Sequence, residues 1–356
     1  LPGMLYAKAR SAFQEPVPPE QNLTRIEAYS FAPGSRLEDR ITIMPPALLA
    51  HFRSWDKAPE YESYIPTPED KALAMRYFSL LPGVYREVFE AHCLGIFFVK
   101  NLKGNGITTW ATDANRKLYF HITLNPAALT DSLSTTLSTS ENSCFIPQQN
   151  AAVTVDAGKK YKGLLYGLFH EATHAVDYIK GITPWADNTM PISLRPEKNP
   201  ADSLFSIYWK DFFLPRASED FRLRDKITFY GLNGGPKLSF GDAPQLYAGL
   251  GDSGFPSLYG SMSWAEDFAE LVTLHIITKE LGQPYKITLS GNEAPLVLEP
   301  MWSKKVSTRA DMVRLELDAI SGDIRSGDTD MKEADEDLVK AEALVKEAES
   351  MLGKPA

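Results

Sequence analysis

The sequence predicts an α+β fold, and three observations carry that prediction. Lys117 to Asn125 sets Leu118, Phe120, Ile122 and Leu124 against Tyr119, His121 and Thr123, a period of two that marks a strand. Leu164, Leu168, Ala172, Ala175 and Ile179 recur every three to four residues, the stripe of a helix. A second helix is expected from about Trp264 to Glu280, stopped by Gly282 and Pro284.

The other elements follow in chain order. Residues 1–35, rich in Pro, Glu and Gln around Glu15-Pro16-Val17-Pro18-Pro19, read as an extended arm. Residues 68–98 read as helical, then apolar, with a break at Pro82-Gly83 and a buried strand at Ile96–Val99. Ile107–Thr112 and Lys117–Asn125 flank Asp113-Ala114-Asn115 as a hairpin. Residues 127–150 are Ser/Thr/Asn-rich and read as mostly loop, and Ala151–Val155 as a short strand.

The helix carrying the apolar stripe has Asp156 as a candidate cap and Gly181 with Pro184 as its stop. Its other stripe holds Gly163, Gly167, His170, His174 and Asp177. The glycines leave room for close approach, either of a cleft-forming backbone or of a core neighbour. Residues 182–260 are mixed. The main domain is expected over 36–305 and an acidic, alanine-rich helical extension over 306–356. Met331, Ala334, Leu338, Ala341, Val345, Ala348 and Leu352 form a three-repeat heptad seam. That seam suits a partner helix, a second copy, or the protein's own body.

Composition narrows the function. Of 356 residues, 44% are hydrophobic and 23% charged, enough for a core of normal size. The net charge of −9 without a basic run disfavours nucleic acid and anionic membranes as partners. No run of about 18 apolar residues suggests a membrane span. Cys93 and Cys144 are either one disulfide or two separate thiols.

Chemistry concentrates in His170-Glu171-Ala172-Thr173-His174, an HExxH motif. Two histidines four apart on a helix point the same way and suit two positions around a tetrahedral zinc ion. The glutamate between them is placed to act as a base on metal-bound water. A third ligand is expected downstream, in Tyr259 to Glu270. Glu266 and Glu270 lie one turn apart, so one could ligate while the other holds a ligand histidine. Ser263-x-x-Glu266 is equally a capping box, in which Glu266 only secures the helix start.

The combination resembles the gluzincins, zincins whose third ligand is a glutamate on a later helix. Among them it resembles the anthrax lethal factor-like and Pro-Pro endopeptidase metalloproteases. HExxH is one half of the likeness. The other is Tyr259-Gly260, seven residues before the Glu that opens Glu266-Asp267-Phe268-Ala269-Glu270. About twenty residues carry it. The 92 positions from His174 to Glu266 exceed the spacing expected of those families, so substrate preference is not carried over.

The resemblance implies a zincin-like catalytic domain, a small twisted sheet packed with active-site helices. It implies one Zn2+ held by His170, His174 and Glu266. Glu171 would be the general base, and Tyr259 the donor to the oxyanion. Glu270 and Asp177 are candidates to hold a histidine ligand, Asp177 being as readily a surface carboxylate. His275 reads as a non-ligand. Tyr119 and His121, read as the exposed face of their strand, are candidates for an edge that pairs with extended substrate.

The expected function is zinc-dependent hydrolysis of a peptide or protein substrate. Alternatives are a non-catalytic zinc-binding envelope or scaffold protein, and a hydrolase of cell-wall amide bonds. The start at Leu1, the possible disulfide and the family likeness lead to an expectation of bacterial export, to the periplasm, cell surface or medium.

Overall fold

The computed structural model describes residues 22–196, 203–291 and 295–320. Within them the protein is a mixed α+β structure. Helices α1 (Pro46–Trp55), α2 (Pro68–Phe78) and α3 (Gly83–His92) come first. Pro82 and Gly83 lie where the sequence expects a break. Thr67 and Asp70 cap α2 reciprocally.

Strands β1 (Glu62–Tyr64), β2 (Cys93–Lys100), β3 (Gly106–Thr112) and β4 (Leu118–Leu124) form the main sheet in the order β1-β2-β4-β3. β2 and β4 run parallel, and the outer strands are antiparallel to their neighbours. The β3–β4 hairpin closes as expected, with the Asp113 carboxylate accepting from the amides of Asn115 and Lys117.

The stretch read as loop contains α4 (Leu133–Asn142). Its Ser/Thr content lowers helix propensity, but its polar face has partners. Ser134 Oγ, Ser138 Oγ and Asn142 Oδ1 accept from the amides of Ala157, Val155 and Val153 at 2.8–2.9 Å. Helix positions four apart thus serve strand positions two apart, and satisfy one edge of β5 (Ala152–Asp156). The other edge of β5 pairs with β8 (Lys286–Ser290), which pairs with β9 (Leu296–Leu298).

The HExxH helix is α5 (Leu164–Lys180). Asp156 does not cap it. That carboxylate accepts from the Gly158 amide at the end of β5, and Gly163 occupies the cap position. Gly181 ends the helix at φ 64°. Leu164 to Thr173 are all buried, because the main sheet, α2, α3 and a later helix enclose α5. A helix at the centre of a core is buried all round rather than along one stripe. Leu168 and Phe169, fully buried, each contribute about 1.5–3 kcal/mol.

The mixed region supplies the hairpin β6 (Trp209–Asp211) with β7 (Leu214–Pro215), and α6 (Ala243–Asp252). The expected second helix is α7 (Trp264–His275), continued by a π turn over Ile276–Glu280. Helix α8 (Lys304–Ile320) packs on α7 through Val306, Ala310, Val313 and Leu317, all members of the main core. The boundary expected at residue 306 therefore falls inside a helix of the body. The heptad seam from Met331 lies outside the described residues, as do residues 1–21.

A second core covers the other face of the sheet. Tyr29, Met44, Leu48, Leu49, Phe52 and Tyr61 pack there on Phe97, Val99, Ala111 and Tyr119. Residues 22–35 of the expected arm are thus docked. The odd-numbered face of β4 is covered, and His121 is fully buried, not exposed. Cys93 and Cys144 are two free buried thiols, so the disulfide alternative is set aside. No described helix is long and apolar enough to cross a membrane.

Candidate metal centre

α5 and α7 pack face to face and bring His170, His174 and Glu266 together. His170 Nε2 lies 3.0 Å from Glu266 Oε2 and 3.1 Å from His174 Nε2. His174 Nε2 lies 3.2 Å from the same carboxylate oxygen. Four ligands about 2.0–2.1 Å from a tetrahedral zinc are separated by about 3.3–3.4 Å. The triangle is close to one face of that tetrahedron. Among the described residues, this is the group of His, Cys, Asp or Glu side chains that could hold a metal ion.

The chemistry of the donors points the same way. Glu270 Oε1 accepts from His170 Nδ1 at 2.9 Å. A carboxylate can only accept, so the Nδ1 proton is assigned there. The neutral ring then turns its Nε2 lone pair toward Glu266 and His174. Three lone-pair atoms facing one another need a proton or a metal cation between them. Burial disfavours the His170 cation, but Glu266 and Glu270 outweigh burial and hold its pKa well above the ordinary histidine range. Burial raises Glu266, and the two histidines lower it further than that, so it stays ionised.

Glu266 resolves the two readings of Ser263-x-x-Glu266. Ser263 Oγ accepts from the Glu266 backbone amide at 3.2 Å, which caps α7. The Glu266 side chain is left for the histidines. It is a quarter exposed, whereas the side chains of His170 and His174 are 6% and 13% exposed. The site opens to solvent beside Glu266.

Glu270 sits behind His170. Its Oε1 also accepts from the Tyr166 hydroxyl at 2.7 Å, and its Oε2 from Ser257 Oγ at 2.6 Å. Ser257 Oγ accepts in turn from the Gly260 amide at 2.9 Å. The carboxylate that orients His170 thus also anchors the Tyr259-Gly260 turn. The Tyr259 ring lies 5.5 Å from the His170 ring and edge-on to Phe229. Burial, with Glu266, Glu171 and Glu270 nearby, pushes its hydroxyl well above the ordinary phenol range. It stays protonated and able to donate.

Glu171 points to the other wall. Its Oε2 accepts from Thr108 Oγ1 on β3 at 2.7 Å. Burial raises its pKa, and His170, His174 and the Thr108 bond draw it back. Gly106 makes room for it: a Cβ there would lie 2.6 Å from Glu171 Cγ.

Two expected roles are corrected. Asp177 has its hydrogen bonds with Thr183, not with a histidine. Gly181 turns the chain back, and the Asp177 carboxylate accepts from the Thr183 amide at 2.7 Å and from the Thr183 hydroxyl. It secures the helix end. Tyr119 and His121 do not lie on an edge either. β4 has a neighbour on both sides, and the edge of the sheet above the site is β3. The Thr112 amide points outward to the Thr24 carbonyl. By alternation the backbone groups of Gly106, Thr108 and Trp110 point outward too. Among the described residues no backbone partner pairs with them.

Sequence reading missed Thr108, Tyr166 and Ser257. Tyr166 was within reach, one turn before His170 on the same face. Ser257 sits two residues before Tyr259, and Thr108 carries no local signal at all. No family model matches the chain, and neither curated proteins nor solved structures give a match. The family likeness therefore rests on the residues of the site.

Proposed function

We propose that this chain is a zinc-dependent endopeptidase with a zincin-like catalytic domain. The observation that carries the reading is the 3.0–3.2 Å convergence of His170, His174 and Glu266, with the Glu171 carboxylate held beside it. These three residues would hold the ion. Zinc bound there would acidify a water molecule and polarise a carbonyl group.

The chain's own residues do the rest. Glu171 takes the proton of the attacking water and passes it to the leaving amine. Thr108 keeps the carboxylate aimed. Tyr259 donates its hydroxyl hydrogen to the carbonyl oxygen as negative charge develops. Glu270 fixes the tautomer and angle of His170. The outward backbone groups of Gly106, Thr108 and Trp110 receive the substrate backbone as an added strand. That edge supports an extended peptide over a compact amide substrate.

The test is cleavage of a peptide library by wild type and by Glu171→Gln, with zinc content measured on both. The expected result is zinc in both proteins and a rate about 10²–10⁴-fold lower in the variant. Zinc in the wild type without cleavage of any peptide would overturn the peptidase reading.

A further inference from the structure

Helix α8 sends a charged side chain into the back of α7. Arg309 is only 3% exposed and pairs with Asp267, which is fully buried. Asp267 also accepts from Trp209 Nε1 at 2.7 Å. A second Arg309 nitrogen donates to the Gly254 carbonyl, and the guanidinium lies over the Tyr208 ring, 3.8 Å from its centroid. One turn earlier, Lys305 reaches the buried Glu219 at 3.4 Å, and Glu219 accepts from the Gly254 amide at 2.6 Å.

Two features give this network a role beyond holding the fold. Asp267 is the residue after Glu266, so its side chain leaves α7 about 100° further round the axis. Pulling Asp267 inward sets the rotation that points Glu266 at the histidines. Gly254 lies three residues before Ser257, which bonds both Glu270 and the Gly260 amide. One guanidinium therefore ties α7 to the turn carrying Tyr259. For stability alone, an apolar pair of the same volume is often as good as a buried ion pair. Asp267 Oδ1 moreover has no partner among the described residues.

We infer that Arg309 is a positioning residue for the metal centre: through Asp267 and Gly254 it fixes Glu266 and Tyr259 relative to each other. The inference rests on the proposed metal site and assigns helix α8 a part in it.

Three variants of the 356-residue chain test it, Arg309→Met, Arg309→Lys and Arg309→Met with Asp267→Leu. Zinc affinity is read by chelator competition, thermal stability separately, and kcat and KM on a cleaved peptide. Arg309→Met is expected to bind zinc about 10–100-fold more weakly, the range for groups that orient ligands, and to lose kcat more than KM. Arg309→Lys should recover part of that affinity. The apolar double variant should regain thermal stability without regaining zinc affinity. If it regains both, or if Arg309→Met binds zinc as the wild type does, the positioning role is overturned and the metal site stands. If the wild type takes up no zinc, the metal site and this inference both fall.

Discussion

Two buried histidines on opposite sides of the main sheet teach different lessons. His170 faces α7 and sits between two carboxylates. His121, on the odd face of β4, is surrounded by the rings of Tyr29, Phe97 and Phe52 at 5.2–6.3 Å. Neither ring nitrogen of His121 has a partner among the described residues, and the same is true of Thr123 Oγ1 two positions on. Burial is nearly complete in both cases and lowers both pKa values, yet the two end far apart because their partners differ. Carboxylates overcome it at His170, whereas at His121 burial, helped by His51 nearby, lowers the pKa to about 3. A buried imidazole is informative through its partners, not through its burial.

The comparison breaks most sharply if the two sides are exchanged. His170→Ala should abolish zinc binding while the protein stays folded, and His121→Leu should leave zinc stoichiometry at one per chain. Metal analysis after dialysis reads both. Loss of zinc in His121→Leu alone would place the metal centre on the wrong face.

Glu270→Gln probes the carboxylate that distinguishes the two histidines. The amide can still accept from His170 but no longer carries charge. Zinc affinity should fall about 10–100-fold, measured by competition with a chelator of known affinity.

Acid should find the other face. An unfolded histidine titrates near 6.5, and His121 in the fold near 3. Between those values the unfolded chain binds the extra proton, so the stability held above about pH 6.5 is lost as pH falls toward 3. At pH 5 this one group costs about 2 kcal/mol. Denaturant titrations at pH 7.5 and 5 should show the His121→Leu variant losing less stability than wild type by about that amount. An unchanged difference would mean that His121 already titrates normally.

The smallest effect is expected at Thr108→Val, which keeps shape and removes the hydroxyl bonded to Glu171. A charge-assisted hydrogen bond of about 1.5 kcal/mol corresponds to a roughly 10-fold lower kcat with KM little changed. A matching rise in KM instead would assign Thr108 to substrate binding rather than to Glu171.

The legibility of this protein varies by element. The β3–β4 hairpin, the break at Pro82-Gly83 and both site helices were readable, because each is coded by residues adjacent in the chain. α4 was not, because its Ser/Thr composition argues against a helix until β5 supplies partners for Ser134, Ser138 and Asn142. His121 was misplaced because alternation separates two faces of a strand without saying whether each is covered. Its cover comes from Tyr29 and Phe52, some 70 to 90 residues earlier.

By itself the sequence determined the local geometry: two histidines and a glutamate on one helix, two glutamates one turn apart on another. Covalent spacing and the 3.6-residue turn dictate those directions wherever the helices lie. Only the tertiary structure decided what meets them. It turned the Glu266 side chain from a capping role to the histidines, gave Asp177 to Thr183 rather than to a histidine, and left Gly106, Thr108 and Trp110 of β3 without a backbone partner on their outer side among the described residues. Those outcomes depend on long-range packing, which closes contacts between segments that carry no record of one another in local sequence.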